Sequence, residues 1–173
     1  MGKVLSAFSN GVPGAVSRAV DDIVISLKNV GDGDVAFGAP VFMDDGGAKG
    51  FDLSAPQAFS AFLGFAVRVA DKTPDAYPAS QDMETALSSS PANRGCWHAG
   101  DVMEILVRGS AAVPLAQSGD VGDPVYLRKS DGALTTYAGA EGTTVRLENV
   151  RVRRPWDNRC GCSEVVVTTR NII

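Results

Sequence analysis

The one histidine of the chain, His98, stands in Cys96-Trp97-His98-Ala99-Gly100-Asp101, where reactive side chains crowd together. A hydrolase would take Cys96, or a serine hydroxyl at 88–90, as nucleophile, His98 as base and Asp101 as the group that orients it. Cys96 and His98 are expected to point apart, and no Gly-x-Ser-x-Gly elbow places another nucleophile. Cys160-Gly161-Cys162, taken with Cys96 and His98, would make a Cys₃His zinc set, but paired Cys-x₂₋₄-Cys spacing is absent. Small thiols packed near a turn are the expectation instead. Phosphate cradles of the Gly-x-x-x-x-Gly-Lys or Gly-x-Gly-x-x-Gly kind do not occur. Asp44-Asp45 and Asp131 lack a calcium-loop ligand series and read as solvated turns. No catalytic residue, no metal and no cofactor are therefore expected.

A second group of residues suits contact rather than catalysis. Arg146, Arg151, Arg153, Arg154 and Arg159 bunch around Pro155-Trp156. One reading is a polar strand face whose long stems cover apolar surface. The other is an interface anchor, since Trp and Arg dominate binding hot spots. Near the other end, Val12, Pro13 and Val16 belong to a segment with too few apolar anchors for a core element, so it could lie extended on a partner. Val12, Pro13, Val16, Arg151, Arg153, Arg154, Trp156 and Arg159 are the candidate interface.

Composition limits what could position these groups. The chain has 173 residues, with 19 Gly and 9 Pro, and lacks the Glu/Lys/Leu runs that sustain long helices. A net charge of −4 disfavours nucleic acid, which needs a basic footprint. No apolar run approaches membrane-spanning length. Three cysteines, an odd number, give no disulfide framework, and no secretory apolar segment is expected. The chain reads as made in a reducing cytoplasm.

Period-two alternation then supplies the elements. Residues 1–21 read as an arm broken by Asn10-Gly11-Val12-Pro13-Gly14. Residues 22–169 read as a single β domain, and 170–173 as a tail. Ile23, Ile25 and Leu27 mark a half-buried strand. A second strand is expected from 35 to 43, with Gly38 and Pro40 at an edge or bulge. Ser54 is expected to cap one helical turn that runs into a strand carrying Leu63, Phe65, Val67 and Val69. Residues 71–100 form a long polar loop. Strands resume at 102–108, and Ser130-Asp131-Gly132 signals a hairpin between 124–127 and 133–137. Val145 and Leu147 have the opposite parity to Val150 and Val152, so a bulge or corner is expected at Glu148-Asn149. With no βαβ alternation, the reading is all-β, with eight or more short strands.

Gly-Asp precedes a Val-containing strand at Gly33-Asp34-Val35, Gly100-Asp101-Val102 and Gly119-Asp120-Val121, and again at Gly122-Asp123-Pro124-Val125. Glycine reaches positive φ and aspartate caps its own turn. In order along the chain come the Gly-Val-Pro-Gly arm, residues 31–41 (GDGDVAFGAPV), 62–67 (FLGFAV), 100–109 (GDVMEILVRG) and 119–127 (GDVGDPVYL). Together they resemble the structural cement proteins of tailed phages. The resemblance implies a jelly-roll-like sandwich or barrel on the capsid exterior that bridges neighbouring major capsid protein subunits, often as a homodimer. It implies a virion protein with no catalytic residues; with the charge and the apolar pattern, the expectation is a protein assembled in the host bacterial cytoplasm that has no small-molecule substrate and no direct contact with nucleic acid or membrane. A β-sandwich carbohydrate-binding module displayed on a virion or cell surface, using Trp156 or Trp97, is the alternative.

Overall fold

The computed structural model describes residues 12–17, 21–53, 61–69, 95–157 and 161–169, with the main chain alone at 156 and 157. Among them are twelve strands: β1 (Val16–Ser17), β2 (Ile23–Lys28), β3 (Val35–Ala36), β4 (Pro40–Asp44), β5 (Gly47–Lys49), β6 (Phe62–Ala66), β7 (Cys96–Trp97), β8 (Val102–Pro114), β9 (Pro124–Arg128), β10 (Leu134–Thr135), β11 (Thr144–Asp157) and β12 (Cys162–Val167). The protein is all-β. Eight strands in the order β10-β9-β11-β12-β8-β6-β4-β5 form one curled antiparallel sheet, a half-barrel, to which β1 and β2 add by pairing with β8. A separate two-stranded ribbon joins β3 to β7.

β8 organises the whole. Its first half lies between β2, with Ile25 opposite Ile105, and β6, with Phe65 opposite Leu106. Its second half lies between β1, with Val16 opposite Ala111, and β12, with Val165 opposite the same residue. The strand runs on through Gly109, Ser110 and Ala111 to Pro114, well beyond the expected 102–108. Residues 109–113 are all buried, so no inside–outside alternation betrays the second half in the sequence.

Two main apolar clusters fill the fold. One joins Phe42, Phe62 and Phe65 to Val113, Leu127, Leu147, Val150 and Val165. The other joins Val35, Phe37 and Trp97 to Met103, Ile105 and Val107. β8 feeds both, which holds the two ends of the sheet in one body.

Several expectations meet the structure along the way. The expected strand at 35–43 is two strands in different sheets. Gly38, at φ +76°, and the turn bond from Ala39 N to Ala36 O, 3.1 Å, redirect the chain between them. The hairpin at Ser130-Asp131-Gly132 is present, pairing Leu127 with Leu134. The parity change in β11 is also present: its register on β9 shifts between Leu147 and Arg151. Leu147, Val150 and Val152 are consequently all buried. The expected helical turn after Ser54 and residues 71–94 of the expected polar loop lie outside the described residues, as do residues 1–11 and the 170–173 tail; the end of that loop is corrected, since β7 at Cys96–Trp97 pairs with β3 there.

Candidate functional site

The arginine group sits on β11 beside β12, and its partner is a residue the sequence did not advertise. Glu164, only 5% exposed, is placed opposite Arg154 by the β11–β12 register. Arg154 Nε lies 3.1 Å from Glu164 Oε2, and Arg153 Nη1 lies 3.6 Å from Oε1. Arg153 Nη1 also donates to Ser110 Oγ at 2.8 Å, tying the group to β8. Register shifts between Val152 and Arg154 and again before Asp157 put consecutive arginines on one side, which an unbroken strand would not do. Arg151 donates to the Gly122 carbonyl at 3.2 Å. About half of each Arg153 and Arg154 side chain stays exposed. The result is a positive strip whose inner ends are fixed by a buried carboxylate while the outer ends face solvent.

The other candidate interface residues fall in different places. Pro13 is buried and Val12 half-buried, while Val16 packs against Val67, Leu106 and Ala111. Main-chain bonds stitch this stretch down: Gly14 N donates to Ala112 O, and Arg68 N donates to Gly14 O, both at 2.9 Å. The structure does not bring Val12–Val16 onto the arginine strip as one patch. Trp156 lies on the main-chain path of β11, and Arg159 lies outside the described residues.

The Cys96–Asp101 corner is assembled by the β3–β7 ribbon. Val35 opposes Trp97 and Ala36 opposes Cys96, so Asp34 comes opposite His98. Trp97 turns inward, donates its indole N–H to Val67 O at 3.0 Å and meets Phe37 edge-on. Its burial removes it as a stacking platform for a sugar. Cys96 and His98 take the opposite face together, and the expectation that they point apart is overturned. Strand residues i and i+2 share a face, and Cys96 Sγ lies 3.8 Å from His98 Nδ1. Nor does Asp101 orient the imidazole. Its carboxylate accepts the His98 main-chain N–H at 2.8 Å, whereas Asp34 Oδ1 meets Nδ1 at 3.0 Å. Cys162 is buried against Ala112 and takes no part in the corner. Asp34 was missed because 62 residues separate it from Cys96. The sequence offered as a signal that each segment carries a Gly-Asp pair, Gly33-Asp34 before β3 and Gly100-Asp101 after β7.

A family model described as structural cement protein (E217 gp24/Pam3 gp6) matches residues 3–168. The chain belongs to this family. Membership puts it among phage virion structural proteins, in keeping with the resemblance carried by the Gly-Asp segments. A solved chain from "The capsid of Myoviridae Phage XM1" has the same fold. The TM-score is 0.68 at 20% identity, over 97% of this chain and 96% of that one. No curated protein matches the chain. The cement family is thus represented here by a curled sheet that carries a basic strip on β11.

Proposed function

We propose that the chain is a non-enzymatic cement that binds the outer surface of a phage capsid and bridges neighbouring major capsid protein subunits. The observation that carries this reading is the family match over residues 3–168. The arginine strip supports it physically. Arg151, Arg153 and Arg154 are preset by Glu164 and Gly122, so less side-chain freedom is lost when they meet an acidic partner surface. Trp156 and Arg159 extend the same stretch of chain, and the segment after Val12 and Pro13 is rooted on β8 through the main chain of Gly14 and Ala15 and the side chain of Val16. From that root, the residues before 12 can wrap a neighbour, at an ordering cost of ~1–2 kcal/mol per backbone residue. A homodimer spanning two shell subunits would raise particle stability by multivalency, with only modest affinity at each contact.

The test uses capsid particles lacking the protein. Added chain should co-sediment with them and raise the temperature at which they open, and Trp156→Ala should weaken both effects. Particles that open at the same temperature with and without saturating protein would remove the cementing role.

A further inference from the structure

Three different metal-ligating side chains meet at the β3–β7 ribbon. One ligand atom from each of Asp34, Cys96 and His98 lies within 4.8 Å of the other two. Nδ1 of His98 is 3.0 Å from Asp34 Oδ1, and Cys96 Sγ is 3.8 Å from both Asp34 Oδ2 and His98 Nδ1. Tetrahedral zinc, with Zn–N and Zn–O near 2.0 Å and Zn–S near 2.3 Å, spaces N and O about 3.3 Å apart and S about 3.5 Å from either. The separations of His98 Nδ1 from Asp34 Oδ1 and from Cys96 Sγ lie within a few tenths of an ångström of two edges of a zinc tetrahedron, while Cys96 meets the other carboxylate oxygen of Asp34, Oδ2.

The donor set narrows the ion. Thiolate and imidazole exclude a magnesium- or calcium-type site and favour zinc among the divalent ions. The surroundings hold the ligands still, as metal sites require. Buried Asn29 donates from Nδ2 to the carbonyls of Gly33, at 3.0 Å, and His98, at 3.2 Å, gripping the backbone next to Asp34 and at His98 itself. Asp101 fixes the His98 main chain from the other side. With 66% of the His98 side chain and 52% of the Asp34 side chain exposed, the fourth coordination position faces solvent.

We propose that Asp34, Cys96 and His98 form a surface site for a zinc-class divalent cation, with three protein ligands and one open position. The ion would clamp β7 to β3. The site stands on geometry alone and does not depend on the cementing role, so either can fail without the other.

The first measurement uses the unaltered chain, reduced and freed of metal, titrated with Co²⁺. A thiolate-to-cobalt charge-transfer band and a tetrahedral ligand-field spectrum, saturating at one ion per chain and displaced by Zn²⁺, are expected. Absence of the thiolate band overturns the proposal, and no variant's misfolding can obscure that result. The second measurement is competition for Zn²⁺ against a chromophoric chelator. Cys96→Ser and His98→Ala should each weaken binding at least tenfold and Asp34→Asn should weaken it measurably, while Cys160→Ser should leave it unchanged. Zinc binding that survives His98→Ala but is lost in Cys160→Ser would place the ion elsewhere and overturn the assignment.

Discussion

The side-chain amide of Asn29 donates to the carbonyl oxygen of His98, 3.2 Å away and 69 residues distant in sequence. The same amide reaches Gly33 O at 3.0 Å and Trp97 O at 3.4 Å, and Asn29 Oδ1 accepts from Gly31 N. Its main chain is equally engaged, with N bonded to Asp101 O at 2.7 Å and O accepting from Gly100 N at 2.9 Å. One buried residue just past β2 thus holds the Gly31–Asp34 turn, β7 and the start of β8 in register.

Replacing Asn29 tests this arrangement directly. Asn29→Ala strands several buried polar groups, and at about 1 kcal/mol for each lost bond the expected loss is ~2–4 kcal/mol of unfolding free energy. Asn29→Asp should be at least as damaging, because a carboxylate cannot donate to the three carbonyls it would face. Urea denaturation of both variants measures the effect. A loss below ~1 kcal/mol in both would show that the carbonyls find other donors.

The alternating stretches were legible because one face of each meets solvent. β2 shows its half-buried Ile25 and Leu27 between exposed neighbours, and the parity break in β11 correctly located its bulge. Where both faces are covered, alternation disappears and so does the signal: Ser110 to Val113 continue β8 unread. The β3–β7 ribbon was illegible for another reason. Two-residue strands carry no period, and their pairing brings Asp34 to His98 across 64 residues. Glu164 was passed over because a glutamate in a Val-rich strand reads as solvent-facing. Only the β11 register reveals that arginines cover it.

Gly109 lets β8 pass from one half of the sheet to the other. It sits at φ +117°, and a Cβ there would collide with the Asp22 side chain. Gly109→Ala therefore combines backbone strain with a clash and should cost ~2–4 kcal/mol. Differential scanning calorimetry should show a clear fall in melting temperature. An unchanged value would mean that Asp22 and the β2 edge yield freely.

The β9–β10 hairpin should contribute a pH-dependent part of the stability. The Arg128 guanidinium holds the Asp131 carboxyl below its usual value, helped by the bond from Ala133 N, while slight burial opposes them. A carboxyl whose pKa is lower folded than unfolded stabilises the fold above the unfolded value, near 3.9, and loses that contribution as pH falls through the folded value. Asp131→Asn should therefore be less stable than the parent at pH 7, with the gap closing below about pH 4. Denaturation midpoints across that range decide it. A gap that persists at pH 2 would assign the effect to hydrogen-bond geometry rather than charge.

Glu164 separates two ways in which the arginine strip could engage a partner. If net charge governs binding, Glu164→Gln should tighten it, since the chain moves from −4 to −3. If fixed arginines govern it, the same change should weaken binding, because Arg153 and Arg154 lose the carboxylate that holds their guanidinium groups. The second outcome is the expected one. Ordering two arginine side chains costs about 0.5–1.5 kcal/mol each, so the loss of affinity for particles should be at least about fivefold. The fold should survive the change, because glutamine keeps the shape and both arginines are half-exposed and well hydrated. The expected loss of stability is ~1–2 kcal/mol, reduced from that of a fully buried pair. Particle binding measured well below the unfolding transition, at two salt concentrations, resolves the matter. Tighter binding by Glu164→Gln at low salt would show that the strip acts through its charge and not through its preset geometry.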